Sequence, residues 1–382
     1  MTGERGGDVV VVGAGVIGLA IAFELATRGA SVRIFDRSEP GGAASWAAAG
    51  MLAPYTEAVR NEALLRLCAS SLQAYPAFVA SIFAASGVDA NLRLNGVVHA
   101  AFDAAQLGGV RRLARTLEAE RVWCDLLDRE QLLAAEPWLG ASVVGGIAIR
   151  GEGCIDNRRL GRALVAACEK RGVRVERSSF VRVECDGRRV LGIHTDLGYV
   201  GARAVVNACG AWAATLSGVP SPCVPPIVPV KGQMIALAAP SGFVRHATWL
   251  PGAYLVPRED GRLLVGATVE SVGFDERVTA QGMHELLQAA LAAAPALGDF
   301  ALTETWAGLR PGTPDGLPFL GPTPIDGFLL ATGHYRNGIL LAPATARLIA
   351  DTVERADLAA SEPFRLARLS TEEAFAGRIT HA

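Results

Sequence analysis

One stretch limits the fold more than any other: "VVVVGAGVIGLAIAFELATRGASVRIFDR", residues 9–37. Val9 to Val12 is an uninterrupted β-branched run, the pattern of a parallel strand buried on both faces. Gly13, Gly15 and Gly18 follow as G-x-G-x-x-G and open an apolar helix ending near Arg28, with Gly29 as its C-terminal cap. A second strand, Ser31 to Phe35, ends at Asp36. The three glycines have separate steric tasks: a tight turn, close approach of backbone to a pyrophosphate, and close helix–strand packing. The helix N-terminus offers free N–H groups and a partial positive charge to phosphates. Asp36, 23 residues after Gly13, is spaced to accept hydrogen bonds from ribose hydroxyls. A dinucleotide-binding βαβ unit is therefore expected, against the plainer reading of a βαβ unit that happens to carry glycines. The motif does not choose between NAD and FAD. Because the glycines break the apolar run and Glu24 follows, the stretch reads as neither a leader nor a membrane anchor.

The 382-residue length predicts two domains. A net charge of -2 without a basic run argues against nucleic acid. The absence of a basic amphipathic helix argues against a membrane partner. Seven cysteines without a C-x-x-C pair read as a reduced, cytoplasmic protein with no disulfide framework and no metal site.

Three further segments carry more. "GGAASWAAAGML", residues 41–52, is a run of small residues that lets backbone approach a large planar ligand. In "GLRPGTPDGLPFLG", residues 308–321, and "GHYRNGILLAP", residues 333–343, Arg310 and Arg336 stand among glycines and aliphatics. A guanidinium in such surroundings calls for an anion, because it is seldom buried unpaired. Together these segments resemble the D-amino-acid oxidase family of flavoproteins, and within it the glycine oxidases of thiamine biosynthesis. The matching motifs run from Val9 to Pro343.

The resemblance implies an α/β fold: a Rossmann-like FAD-binding domain (a doubly wound parallel sheet) with a second, antiparallel-sheet α+β substrate domain. It implies FAD as cofactor. Gly13, Gly15, Val16, Ile17 and Gly18 would cradle the pyrophosphate, and Asp36 and Arg37 would meet the adenosine ribose. The family often has Glu where this chain has Asp36. Ala44, Ser45, Ala49, Gly50 and Met51 would lead from pyrophosphate to flavin, and the Val181 backbone would contact adenine. "VVNACGAW", residues 205–212, would bring the chain back under the cofactor. His334, Tyr335, Arg336, Asn337, Gly338, Ile339 and Leu340 would lie along the flavin, with a helix starting near Gly338. Its N-terminal partial charge would stabilise anionic reduced flavin.

By the same resemblance Arg310 holds the substrate carboxylate in a bidentate fork, Tyr254 in "GAYLVPR" donates to that carboxylate, and Arg336 faces the amino acid. Competing readings pair Arg310 with Asp315, pair Arg336 with a carboxylate at the domain boundary, and make Tyr254 an ordinary strand aromatic. His334 reads as a packing residue rather than a base, and Lys231 as a turn lysine rather than an oxygen-activating cation. The implied activity is oxidative deamination of glycine and other small amino acids, sarcosine and small D-amino acids included. Hydride transfer to flavin N5 would give an imine, then glyoxylate and ammonia, with dioxygen reduced to hydrogen peroxide. Related enzymes assemble as tetramers, so a homo-oligomer is implied. Val269, where the family tends to have methionine, and Gly252 are smaller than the family pattern and are expected to enlarge the pocket. Two alternatives remain open here: a D-amino-acid oxidase or dehydrogenase of broader range, and a non-catalytic FAD-binding protein.

The FAD domain is expected to be discontinuous, from 1–85, 141–215 and 305–360, with 86–140 and 216–304 forming the substrate domain and 361–382 a polar tail. Within it, Asp156 should cap a helix that ends before Gly172, and 281–295 should be a packing helix.

Overall fold

Val9–Val12 lies inside a six-stranded sheet in the computed structural model, which describes residues 9–57, 61–354 and 359–369. Its neighbours, Ala204–Asn207 and Val32–Asp36, are both parallel, with Val9 opposite Ala204 on one side and Val32 on the other. Phe328–Thr332 and Arg174–Arg177 extend the parallel order outward, and Phe319–Pro322 closes one edge antiparallel. Side chains alternate along a strand. Val9 and Val11 therefore enter one core and Val10 and Val12 another, which is why all four positions are apolar.

The helices Val16–Thr27, Glu62–Ser86, Asn157–Lys170 and Gly338–Val353 contribute to the first of these cores. The other face is covered by an antiparallel meander of Val181–Cys185, Val190–Thr195 and Gly198–Gly201. Val183, Val190 and Ile193 fill that layer where a doubly wound sheet would have helices. The expected local signals are present. Gly29 has φ +93, just beyond the first helix, and Asp156 accepts hydrogen bonds from the Arg158 and Arg159 amides.

Glu62–Ser86 is long and apolar enough to cross a membrane, yet its Leu64, Leu65, Leu72, Tyr75 and Ile82 are buried in the protein core. It also repairs its neighbour. Pro343 lies inside the Gly338–Val353 helix and lacks the N–H that the Ile339 carbonyl would accept. The Tyr75 hydroxyl donates to that carbonyl at 2.6 Å. Ser71 Oγ donates to Leu340 O at 2.6 Å and accepts from Ala344 N at 3.2 Å.

The second sheet has eight strands, in the order Leu302–Gly312, Val228–Ala238, Arg262–Gly266, Ala253–Pro257, Ala247–Leu250, Val97–Ala101, Gly145–Ile149 and Cys124–Asp128. All pairs are antiparallel except Ala247–Leu250 with Val97–Ala101. The helix Ala280–Ala293 packs into its core through Leu286, Ala290 and Ala293. Gly145–Ile149 and all of Leu302–Gly312 pair here, although the boundaries read from sequence put 141–149 and 305–312 with the parallel sheet. An apolar strand pattern does not say which sheet it joins. Nor is the segment after 360 simply polar surface. Phe364 is buried, and Arg368 grips Asp315 at 2.7 and 3.0 Å while lying 4.2 Å over the Phe319 ring.

Candidate active site

A cavity of about 400 Å³ is lined by residues of both the parallel and the antiparallel sheet. At one end it is bordered by the Gly13 turn, at the other by side chains of the eight-stranded sheet. The first end is shaped by backbone. Gly13 has φ +111, and a Cβ there would lie 2.4 Å from the Ala208 carbonyl oxygen. A Cβ on Gly18 would lie 1.9 Å from Gly13 O, so that glycine serves helix–strand packing and does not reach the cavity. Gly15, Val16 and Ile17 line the cavity at the helix N-terminus, where Ser45 Oγ accepts from Val16 N at 2.9 Å. Asp36 accepts from Ala14 N at 2.6 Å and Ser38 N at 2.8 Å. A carboxylate has about four lone-pair sites, so capacity remains on the cavity side. Arg37 lies 4.4 Å over the Trp212 ring, and Val181 lines the wall beside them.

The small-residue run follows the cavity. Ala44, Ser45, Ala49, Gly50 and Met51 all line it. Smallness also serves packing. A Cβ on Gly308 would lie 2.5 Å from Ala47 Cβ, and one on Gly50 2.0 Å from Ile155 O. Two residues that the sequence reading did not single out hold this loop. Asn157 Nδ2 donates to the carbonyls of Ser45 and Trp46 at 2.8 and 2.9 Å. Buried Arg258 donates to Ala49 O at 2.7 Å and to Asn157 Oδ1 at 2.9 Å. An arginine ending an apolar strand, seven residues before Val265, was the only available signal.

On the far wall the helix begins at Gly338, as the sequence indicates, and His334, Tyr335, Arg336, Gly338 and Ile339 line the cavity. Asn337 and Leu340 do not; both are buried, and the Leu340 carbonyl is engaged by Ser71. His334 Nε2 lies 3.0 Å from Thr345 Oγ1, and burial lowers its pKa to about 3. The ring is neutral at physiological pH, in keeping with a packing role.

Arg310, Tyr254 and Arg336 come together at the sheet end, joined by Met51, Met234, Ala267 and Glu57. Arg310 Nη1 donates to the carbonyls of Lys231 and Thr268 at 3.3 and 3.1 Å, which fixes the guanidinium. Gly232 makes room for it, since a Cβ there would lie 2.3 Å from Nη2. Asp315 belongs to Arg368, so the competing Arg310–Asp315 pair is not made. Among the described residues neither Arg310 nor Arg336 makes an ion pair. Tyr254 packs edge-on to Trp249, its hydroxyl 3.5 Å from Met234 Sδ; burial pushes its phenol up and neighbouring Arg310 pulls it back. Glu57 is pushed up by burial, against the pull of Arg336 and Arg310. Nothing in the sequence distinguished this carboxylate from others.

Three expectations change. Lys231 is no turn lysine: it is buried on Val228–Ala238, with Nζ 2.9 Å from Glu270 and 3.0 Å from the Arg277 carbonyl. Val269 is an exposed side chain and does not line the cavity. Gly252 sits in a turn with φ +80, where a Cβ would face Ala289 rather than the site.

The family model for FAD-dependent oxidoreductases of the DAO type matches residues 8–352. The chain belongs to this family. It is 40% identical over 355 residues to the bifunctional protein ThiO/ThiG of Synechocystis sp., covering 91% of this chain and 51% of that protein. The chain thus spans about half the length of these bifunctional relatives. The glycine oxidase of Pseudomonas aeruginosa is 37% identical over 90% of this chain and 93% of its own. The crystal structure of glycine oxidase from Geobacillus kaustophilus superposes with a TM-score of 0.91 at 35% identity, covering 96% of this chain and 100% of that one.

The cofactor of this DAO-family flavoenzyme is FAD, and the cavity fits it. Gly13 and Gly15 present bare backbone to the cavity, an acceptor stands at Asp36, and two helix N-termini, at Val16 and Gly338, border the cavity.

Proposed function

We propose that this protein oxidises glycine and other small amino acids, with water and dioxygen consumed and glyoxylate, ammonia and hydrogen peroxide released. The reading rests above all on Arg310, a fixed guanidinium without a carboxylate partner among the described residues, in the same cavity as the Gly13 turn. Bound FAD supplies the two-electron acceptor for the substrate's α-hydrogen and the route of those electrons to dioxygen. The chain's own work is positioning. Arg310 Nη2 and Nε are the donors left for a substrate carboxylate, and the Tyr254 hydroxyl is a third. Met51, Met234 and Ala267 shape an apolar wall that limits side-chain size. Orientation of this kind supplies about 7–11 kcal/mol of a barrier. His334 is too weak a base to take a proton at neutral pH. The substrate amine reacts as its neutral form, and His334 is not the group that takes its proton.

Glycine, sarcosine and small D-amino acids all present one carboxylate and one amine, and the relatives named glycine oxidase favour glycine among them. The ThiO/ThiG relative suggests that the product feeds thiamine thiazole synthesis. All seven cysteines are free thiols, which supports a cytoplasmic location. Assembly as a homo-oligomer is part of the same reading and is tested by light scattering. For the activity itself, glycine added without oxygen should bleach the flavin absorbance, and admitted air should restore it with one peroxide per turnover. A yellow protein that no small amino acid bleaches would favour a non-catalytic FAD-binding role. Bleaching followed by reoxidation only with a quinone would favour a dehydrogenase.

A further inference from the structure

Glu57 is the one acidic residue lining the sheet end of the cavity among the described residues, where it shares the wall with Arg310, Arg336 and Tyr254. It is not a loose side chain. The residues just before it, Tyr55 and Thr56, are tied to Glu152, which is fully buried. Glu152 accepts from Tyr55 N at 2.7 Å, Thr56 N at 3.2 Å and Thr56 Oγ1 at 3.0 Å. Thr56 Oγ1 also lies 2.9 Å from His99 Nε2. The backbone that delivers Glu57 is thereby pinned from behind. No ion pair within 4.0 Å joins Glu57 to either arginine, yet both guanidiniums line the same cavity and pull its carboxyl toward the charged form, against burial.

We propose that Glu57 is a specificity-determining residue, which limits the site to amino acids with a single anionic group. The proposal rests on the amino-acid oxidase reading above. Two guanidiniums and one carboxylate leave a surplus of one positive charge, which one substrate carboxylate neutralises. A second anionic group would meet Glu57 across a low-dielectric cavity, and like charges in such a setting are strongly disfavoured. Rejection by a built-in repulsive charge is a general route to selectivity. Removing that charge should leave Arg336 free to receive a second anion.

Sarcosine and iminodiacetate form a matched pair, both N-substituted glycines, differing by methyl against carboxymethyl on nitrogen. Iminodiacetate oxidation consumes one dioxygen and one water and yields glycine, glyoxylate and hydrogen peroxide. In Glu57→Gln holoenzyme the ratio of kcat/KM for iminodiacetate to that for sarcosine should rise about tenfold or more, as loss of a buried like-charge contact implies. Glu57→Asp, which keeps the charge, should stay near the wild-type ratio. A second readout needs no turnover: the Kd values of acetate and malonate, from perturbation of the flavin spectrum. Malonate should gain on acetate in Glu57→Gln only. If both ratios stay fixed while every ligand weakens alike, Glu57 holds the amine or the fold, and the proposal is overturned. If the wild-type protein oxidises none of these amines, the oxidase reading fails. The acetate–malonate ratio still decides whether Glu57 selects by charge.

Discussion

The two ends of the cavity are built by different means. The cofactor end is built mainly from one stretch of chain, residues 12–51, in which backbone and small residues do much of the shaping, and segments near 180, 210 and 335 complete its wall. The substrate end is assembled from side chains at 57, 254, 310 and 336, contributed by four separate segments. Steric demands of the first kind leave fixed spacings in a sequence. Demands of the second kind leave isolated charged residues whose neighbours appear only on folding.

The comparison breaks most sharply at Gly18. An added methyl would sit 1.9 Å from Gly13 O, a backbone atom that has no room to yield. Gly18→Ala should cost about 3 kcal/mol or more and release FAD, since the pyrophosphate turn and the helix meet there. Flavin absorbance per polypeptide and the thermal melting curve measure both. Full FAD content with an unchanged Tm would mean that the cofactor end is less rigidly determined than its glycines indicate.

Arg310→Ala tests the other end. Charge-assisted hydrogen bonds contribute about 1.5–3 kcal/mol each, so kcat/KM for glycine should fall about a hundredfold or more. FAD content and Tm should hold, because Arg310 makes no ion pair among the described residues and its guanidinium donates to main-chain carbonyls, those of Lys231 and Thr268. Loss of FAD in this variant would show that the two ends are not separable.

The same contrast explains what the sequence made legible. The βαβ unit, the capped helix from Asn157, the helix at Gly338 and the cavity positions of Asp36, Ser45 and Arg310 follow from local patterns or from motif resemblance. Asn157 and Arg258, which hold the flavin loop, did not stand out, because they bond main-chain carbonyls 111 to 209 residues away. Glu57 and Glu152 were equally silent. Lys231 was misread because a strand lysine and a turn lysine look alike until Glu270 is seen beside it. The meander over the parallel sheet was missed for a related reason. Short alternating strands do not announce which face they will cover.

Glu152 supplies a prediction of smaller size. Burial raises its carboxyl to about 8, against 4.5 for an unperturbed glutamate. Between those values the folded protein keeps a proton that the unfolded chain has lost, so this group makes stability fall as pH rises. Glu152→Gln stays neutral and removes that contribution. Its stability relative to wild type should therefore improve steadily from pH 5 to pH 8, read from melting curves across the range. A difference that is flat with pH would mean that Glu152 is ionised in the fold, with the three donors from Tyr55 and Thr56 sufficient to hold the charge.

The smallest effect belongs to Val269 and Gly252, the positions whose reduced size suggested an enlarged pocket. Val269 is 40% exposed and neither residue lines the cavity. Val269→Met should accordingly change the sarcosine-to-glycine ratio of kcat/KM by less than about twofold, in line with surface substitutions away from a site. Ala267, two residues earlier, does line the cavity. Ala267→Val should lower the ratio, by excluding the larger amine while glycine still fits. If Val269→Met moved the ratio and Ala267→Val did not, substrate size would be set by another conformation of the segment that follows the strand Arg262–Gly266. The substrate end would then be adjustable in a way that the glycine-built cofactor end is not.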